Sequence, residues 1–223
     1  MTNLWGIVVS YIFIFIVILG AKLFEKLGKE ASRKFIHIML GNWWIIAMLF
    51  FDNVIWAALV PATFVIINYV SYKKNLISVM EREDNEEEGL GTVYYALSLL
   101  LLSIITFGII NKPEIGLVPV LVMAYADGFA AVFGQKIKSK PIKIGQTTKS
   151  VAGCITMFIV TFIVTSAFLR YTDVAMWPIL SIVMSLFATI IELVSIKGLD
   201  NITVPAIMFI MLMRRLFHST ILR

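Results

Sequence analysis

The 223 residues are 60% hydrophobic and carry a net charge of +5, with a mean hydropathy of +0.92. That composition excludes a water-soluble domain. It also argues against a nucleic-acid partner, because the lysines and arginines gather beside apolar runs and do not form one polar face.

Apolar runs lie at roughly 4–21, 35–51, 54–70, 92–110, 115–133, 151–169 and 175–196, with a shorter one at 202–213. A helix needs about 20 apolar residues to cross a bilayer, so seven spans are expected, and the last run either crosses or re-enters. The connectors are too short to fold separately. Residues 1–223 should therefore form a single integral membrane domain, an all-α polytopic helical bundle of seven to eight transmembrane helices. Fourteen of the nineteen Lys and Arg fall in the segments 22–34, 71–91, 135–150 and 197–201, which predicts that this side faces the cytoplasm of a cell membrane. Arg214, Arg215 and Arg223 obey the same rule only if the last run does not cross. The first run has no basic residue before it and no small-residue cleavage site, so it is expected to be a retained span. The single cysteine, Cys154, has no partner for an internal disulfide.

In chain order, the first chemically distinctive stretch is Ser32-Arg33-Lys34-Phe35-Ile36-His37, where two cations and an imidazole share a helix face. By itself it reads first as a positive-inside flank with an interfacial histidine; it would also suit a phosphate or headgroup, with His37 as donor or proton acceptor. Pro61 and Asn68 need mean no more than a kink and an interhelical hydrogen bond. Glu81 to Glu88 holds six acids and one arginine, a run that by itself is simply solvated. It leads into Gly89-Leu90-Gly91-Thr92, whose glycines permit close backbone approach. Thr92, Tyr94, Tyr95 and Ser98 offer hydroxyls for a substrate pocket.

The densest chemistry lies between Ala126 and Gly153. Asp127, Ala131, Gly134 and Lys138 fall on one helix face, so a carboxylate overlooks a groove of small residues. A charge at membrane depth costs ~2.5–3.5 kcal/mol on insertion scales, and a hydrated Mg²⁺ bridging to phosphates would repay it. Asp127 solvated at the interface is the alternative. The following loop carries Lys136, Lys138, Lys140, Lys143 and Lys149 without an acid. Attraction to an anionic leaflet accounts for many such lysines. Lys149-Ser150 with Gly153 at a helix start adds a plausible anion site. Glu192, Asp200 and Asn201 complete the set, bringing acids from three segments to one depth. No histidine–cysteine metal spacing, nucleophile elbow or Walker loop is present.

Taken together, Arg33-Lys34-x-x-His37, Gly91-Thr92-x-Tyr94-Tyr95, Asp127 with Gly134, Lys149-Ser150-x-x-Gly153, and Glu192 with Asp200-Asn201-x-x-x-Pro205 resemble, in order, the CTP-dependent lipid kinases of dolichol, phytol and diacylglycerol. That family is related to CTP:phosphatidate cytidylyltransferase. The resemblance covers most of the chain. It implies a magnesium-dependent membrane enzyme that uses CTP as co-substrate and a lipid alcohol as acceptor. The implied metal and catalytic residues are Asp127, Glu192 and Asp200, with His37 also catalytic. Lys149, Ser150, Gly153, Arg33, Lys34, Gly134 and Asn201 would bind nucleotide or phosphate, and Thr92, Tyr94 and Tyr95 the substrate. In one departure, Ala152 stands where the family usually has glutamate. Cytidylyl transfer to phosphatidate is the runner-up activity. A transporter ranks third, because there is no internal repeat and the acids gather at one end. The oligomeric state is left open, a homodimer included.

Overall fold

The computed structural model describes residues 1–74, 90–145, 147–196 and 198–221. The acidic run Glu81 to Glu88 and Gly89 lie outside the described residues. Helix α1 (Thr2–Phe24) buries Gly6, Ser10, Ile14, Val17 and Ala21 on one stripe and exposes Trp5, Ile12, Phe15, Ile16 and Leu23. Small residues inward and large apolar ones outward is the pattern of a helix that meets lipid, since lipid tails solvate the large side chains and close packing needs the small ones. Among the described residues, six helices are long and apolar enough to cross a bilayer, which fits an all-α polytopic membrane protein.

Six is one fewer than the seven runs expected outright, and the missing one is 35–51. It is divided between α2 (Lys29–Leu40) and α3 (Trp43–Phe50). Asn42 makes the break: its amide Nδ2 donates to the Met39 carbonyl at 3.1 Å, while the backbone tightens, with Asn42 N bonding Met39 O and Ile45 N bonding Asn42 O. A side chain that competes for a backbone carbonyl unsettles the helical ladder locally. Helices α4 (Val54–Lys74) and α5 (Gly91–Ser103, continued by a π-helical segment Ile104–Ile109) pair next.

A single-turn 3₁₀ segment, Pro113–Gly116, then leads into α6 (Leu117–Leu121), a π-helical turn Val122–Ala126, and α7 (Asp127–Lys136). This composite helix is the most buried of the six spans. Its two sides serve two cores. Val120, Met123 and Ala124 pack with Trp43, Trp44 and Phe107. Val118, Val122, Ala126 and Ala130 pack with Met157, Leu169, Met184 and Met208. Whatever this helix carries is therefore held at the centre of the molecule.

The lysine loop contains a short antiparallel hairpin, β1 (Pro141–Ile144) with β2 (Thr147–Ser150). Helices α8 (Val151–Tyr171) and α9 (Trp177–Val194) follow as a closely packed pair. The final helix, α10 (Asp200–Ile221), is far longer than the apolar run 202–213 suggests. It buries Val204, Met208 and Leu212 and runs from the end that holds Asp200 to the opposite end, where it meets Pro113–Gly116. It thus runs the depth of the bundle and does not re-enter.

Candidate active site

Asp127 opens α7 immediately after the π-helical turn, a local widening of the helix that recurs at functional sites. Its side chain is buried. Lys34 Nζ donates to Asp127 Oδ2 at 3.0 Å, and His37 Nε2 lies 3.2 Å from the same oxygen and 3.0 Å from the Met123 carbonyl within the π-helical turn. Both neighbours of Nε2 are acceptors, so that nitrogen carries the ring proton. One turn of α2 therefore fixes the aspartate through a lysine and a histidine. Tyr95 in turn donates from its hydroxyl to the His37 carbonyl at 3.0 Å and meets the imidazole edge-on at 4.7 Å.

Glu192, near the end of α9, and Asp200, at the start of α10, complete an acidic trio with Asp127. One carboxylate oxygen from each lies within 4.8 Å of the others. Lys149 reaches in from β2, forms an ion pair with Glu192, and stands 3.7 Å from Asp200. Burial opposes its charge, but Glu192, then Asp200 and Asp127, outweigh that and push its pKa up to about 12. Lys149 is accordingly a fixed cation at physiological pH. The donor set is all oxygen and carboxylate-rich, which fits a hard divalent cation such as Mg²⁺ and does not suit a thiolate-loving metal.

The side of the cavity at the start of α8 is built largely from backbone. Ser150 caps α8: its hydroxyl accepts from Gly153 N at 3.1 Å and donates to the Gly134 carbonyl at 3.0 Å. This junction needs two glycines. A Cβ at Gly134 would lie 2.8 Å from Ser150 Oγ and 3.3 Å from Gly153 Cα, and one at Gly153 would lie 3.1 Å from the Ala130 carbonyl. A second close approach brings Gly91, at the start of α5, against Gly198, which has φ +79°. The turn before Asp200 is thereby seated on α5, and Ser98 Oγ bonds the Asn201 carbonyl. Thr147 Oγ1 lies 3.3 Å from Leu193 O, tying the hairpin to α9.

These elements enclose a cavity of about 630 Å³. Arg33, Lys34, His37, Asp127, Gly134, Lys149, Ser150, Gly153, Glu192, Asp200 and Asn201 all line it, as the sequence motifs lead one to expect. Arg33 is occupied locally by Glu30, 2.6 Å away. Thr92, Tyr94 and Tyr95 are not among the lining residues, although Gly91 beside them is. Tyr95 is buried and holds α2. Ala130, Ser139, Thr148, Cys154 and Gly198 line the cavity without having been singled out. Gly198 had a readable signal, a glycine two residues before an aspartate between two apolar runs; the others had none.

The cavity thus brings together acids, a fixed lysine and a capped helix start, and the chain is similar to proteins named as kinases. The chain is 30% identical over 204 residues to a phytol kinase of Synechocystis, with 85% of this chain and 82% of that protein covered. It belongs to the phytol kinase family. A plant member, phytol kinase 1 (chloroplastic) of Arabidopsis thaliana, is 31% identical over 208 residues, covering 82% of this chain and 67% of its own length. The probable phytol kinase 1 (chloroplastic) of Oryza sativa is 29% identical over 198 residues, with coverages of 79% and 62%. No protein-family model matches the chain, and no solved structure matches it significantly. Membership of the phytol kinase family makes the chain a membrane phosphotransferase of the lipid-alcohol kinase kind.

Proposed function

We propose that the chain transfers the γ-phosphate of CTP to the hydroxyl of a long-chain lipid alcohol of the phytol or polyprenol type, with Mg²⁺, at the cytoplasmic face of the membrane. The observation that carries this reading is the convergence of Asp127, Glu192 and Asp200 on one point beside Lys149, in a cavity whose walls come from α2, α7, β2, α8, α9 and α10. The relatives' names favour a phytol-like acceptor. The motif resemblance, not the geometry, favours CTP over other nucleotides. The basic segments 22–34 and 135–150 hold ten Lys and Arg and flank the residues of the site, outweighing Arg214 and Arg215, which α10 carries toward the opposite end, and this supports a cytoplasmic site.

In this reading Asp127, Glu192 and Asp200 hold the Mg²⁺, which neutralises charge on the nucleotide phosphates when bound. Lys34 and His37 hold Asp127 in place. Lys149, Ser150 and the start of α8 face phosphate oxygens, since the N-terminal end of a helix dipole and a lysine beside it favour an anion. A lipid hydroxyl is a poor nucleophile until its proton leaves, and a carboxylate of the trio within reach of it serves as base. Phosphoryl transfer needs little more than this, because positioning and charge neutralisation supply most of the rate.

Membranes carrying the protein are incubated with phytol, Mg²⁺ and CTP labelled at either the γ or the α phosphate. The γ label should enter the lipid and the α label should not. Entry of the α label, with phosphatidate as acceptor, would instead indicate cytidylyl transfer, and entry of neither would sink the enzymatic reading with CTP.

A further inference from the structure

We infer that Lys149 occupies the metal position between Glu192 and Asp200 in the resting protein and yields it to the metal far more readily when nucleotide phosphates receive its ammonium. The inference rests on the metal reading above and adds to it an exchange of cations.

Three carboxylates with oxygens within 4.8 Å of one another repel, and two of them are buried. Asp127 is served from one side by Lys34 and His37 on α2. Glu192 and Asp200 have a different counter-ion, Lys149, which bonds the first and stands 3.7 Å from the second. The cation that balances these two acids is thus a side chain, placed among the oxygens a divalent ion would take. A lysine is suited to a temporary hold. Its ammonium is a point charge with three donors on a flexible four-carbon stem, indifferent to which oxygens it meets. The Lys149 side chain is 27% exposed, against 5% for Glu192, so it has room to swing while its partner does not.

Where it can swing to follows from the chain. Lys149 directly precedes Ser150, the cap of α8, so a released ammonium stays beside the positive end of that helix's dipole, which favours an anion. A divalent cation arriving alone must displace Lys149 and leave it without an acceptor. Arriving with a nucleotide, it hands Lys149 a phosphate. Metal and nucleotide should therefore bind with strong positive coupling, and by linkage each must tighten the other equally.

The full-length protein in lipid nanodiscs is titrated with Mn²⁺ by electron paramagnetic resonance, with and without a non-hydrolysable CTP analogue, correcting for Mn²⁺ held by free analogue. Wild type should bind Mn²⁺ weakly alone and at least about tenfold more tightly with the analogue. Lys149→Met should bind Mn²⁺ at least about tenfold more tightly than wild type without analogue, and gain little from adding it. Lys149→Arg, which keeps the cation, should behave as wild type. Should Lys149→Met bind Mn²⁺ no better than wild type, the exchange is wrong. Glu192→Gln and Asp200→Asn separate this from the underlying reading: if both bind Mn²⁺ normally, the metal site itself is misplaced and the exchange falls with it. A second measurement needs no variant. In wild type, acylation of Lys149 read by mass spectrometry should rise with Mg²⁺ alone and fall with Mg²⁺ and analogue together, while Lys138 and Lys143 stay constant. An unchanged Lys149 under saturating Mg²⁺ would overturn the inference.

Discussion

Lys34 and Asp127, 93 residues apart, form a buried ion pair at 3.0 Å. A charge pair withdrawn from water gains little net stability, yet breaking one partner leaves the other uncompensated, which costs ~3–5 kcal/mol. The pair thus joins the architecture of α2 and α7 to the chemistry of the site.

Asp127→Asn should reduce lipid phosphorylation by at least ~100-fold, on the scale of other single electrostatic contributions to catalysis. It should also destabilise the protein by about 3 kcal/mol, because Lys34 loses its carboxylate. Adding Lys34→Met should recover thermal stability in detergent without restoring turnover. Near-normal turnover by a well-expressed Asp127→Asn protein would remove the residue from the mechanism.

Gly134→Ala places a methyl 2.8 Å from the Ser150 hydroxyl. Relieving that clash shifts the cap of α8, and overpacking of this kind costs about 1–3 kcal/mol. The expected readout is a nucleotide KM raised about tenfold, with the KM for the lipid little changed. An unaltered nucleotide KM would separate the capped helix start from phosphate binding.

Tyr95→Phe removes the hydrogen bond to the His37 carbonyl and nothing that lines the cavity. A loss of about 1 kcal/mol in stability is expected. The KM for lipid should stay within about twofold of wild type, since a change of that size is below 0.5 kcal/mol. A large rise in lipid KM would return Tyr95 to the substrate pocket.

Ala152→Glu would restore the acid that the motif usually carries. Ala152 is buried in the first turn of α8, its N–H bonded to Ser139 Oγ at 3.1 Å, and it is not among the residues lining the cavity. Since Asp127, Glu192 and Asp200 already converge, the substitution should lower stability without improving Mn²⁺ affinity or turnover. A gain in either would mean that the trio is one ligand short.

In a Cys154→Ala background, Lys138→Cys should react with an impermeant maleimide only from the cytoplasmic side, and Asp173→Cys only from outside. Both residues are exposed, at opposite ends of α8. The reverse pattern would turn the site away from cytoplasmic nucleotide.

Much of the site was legible because charge is costly in an apolar chain. Asp127, Glu192 and Lys34 stand out against their neighbours, and each proves to be paired. What composition does not encode is the direction of each hydroxyl. Tyr95 reads as a substrate contact from its neighbours in sequence, yet it points into the protein, because its hydroxyl is taken by the His37 carbonyl and its ring joins the core around Trp43 and Leu99. The break at Asn42 is hidden from hydropathy because 35–51 averages as one apolar run, although Gly41-Asn42 interrupts it and the Asn42 amide takes the Met39 carbonyl. Conversely, hydropathy ends the last apolar run at Met213, although α10 continues through the arginines to Ile221.

That last helix has a consequence for how the enzyme comes into being. Asp200 begins α10, and the carboxylate reaches the site only because Gly198 is seated on Gly91 and Asn201 is bonded by Ser98. A chain still under synthesis that has inserted α1 to α9 already holds Asp127, Lys149 and Glu192, but it has one acid fewer and an open wall. The acidic trio is therefore assembled only once α10 has been made, and the stretch up to α9 leaves it one carboxylate short.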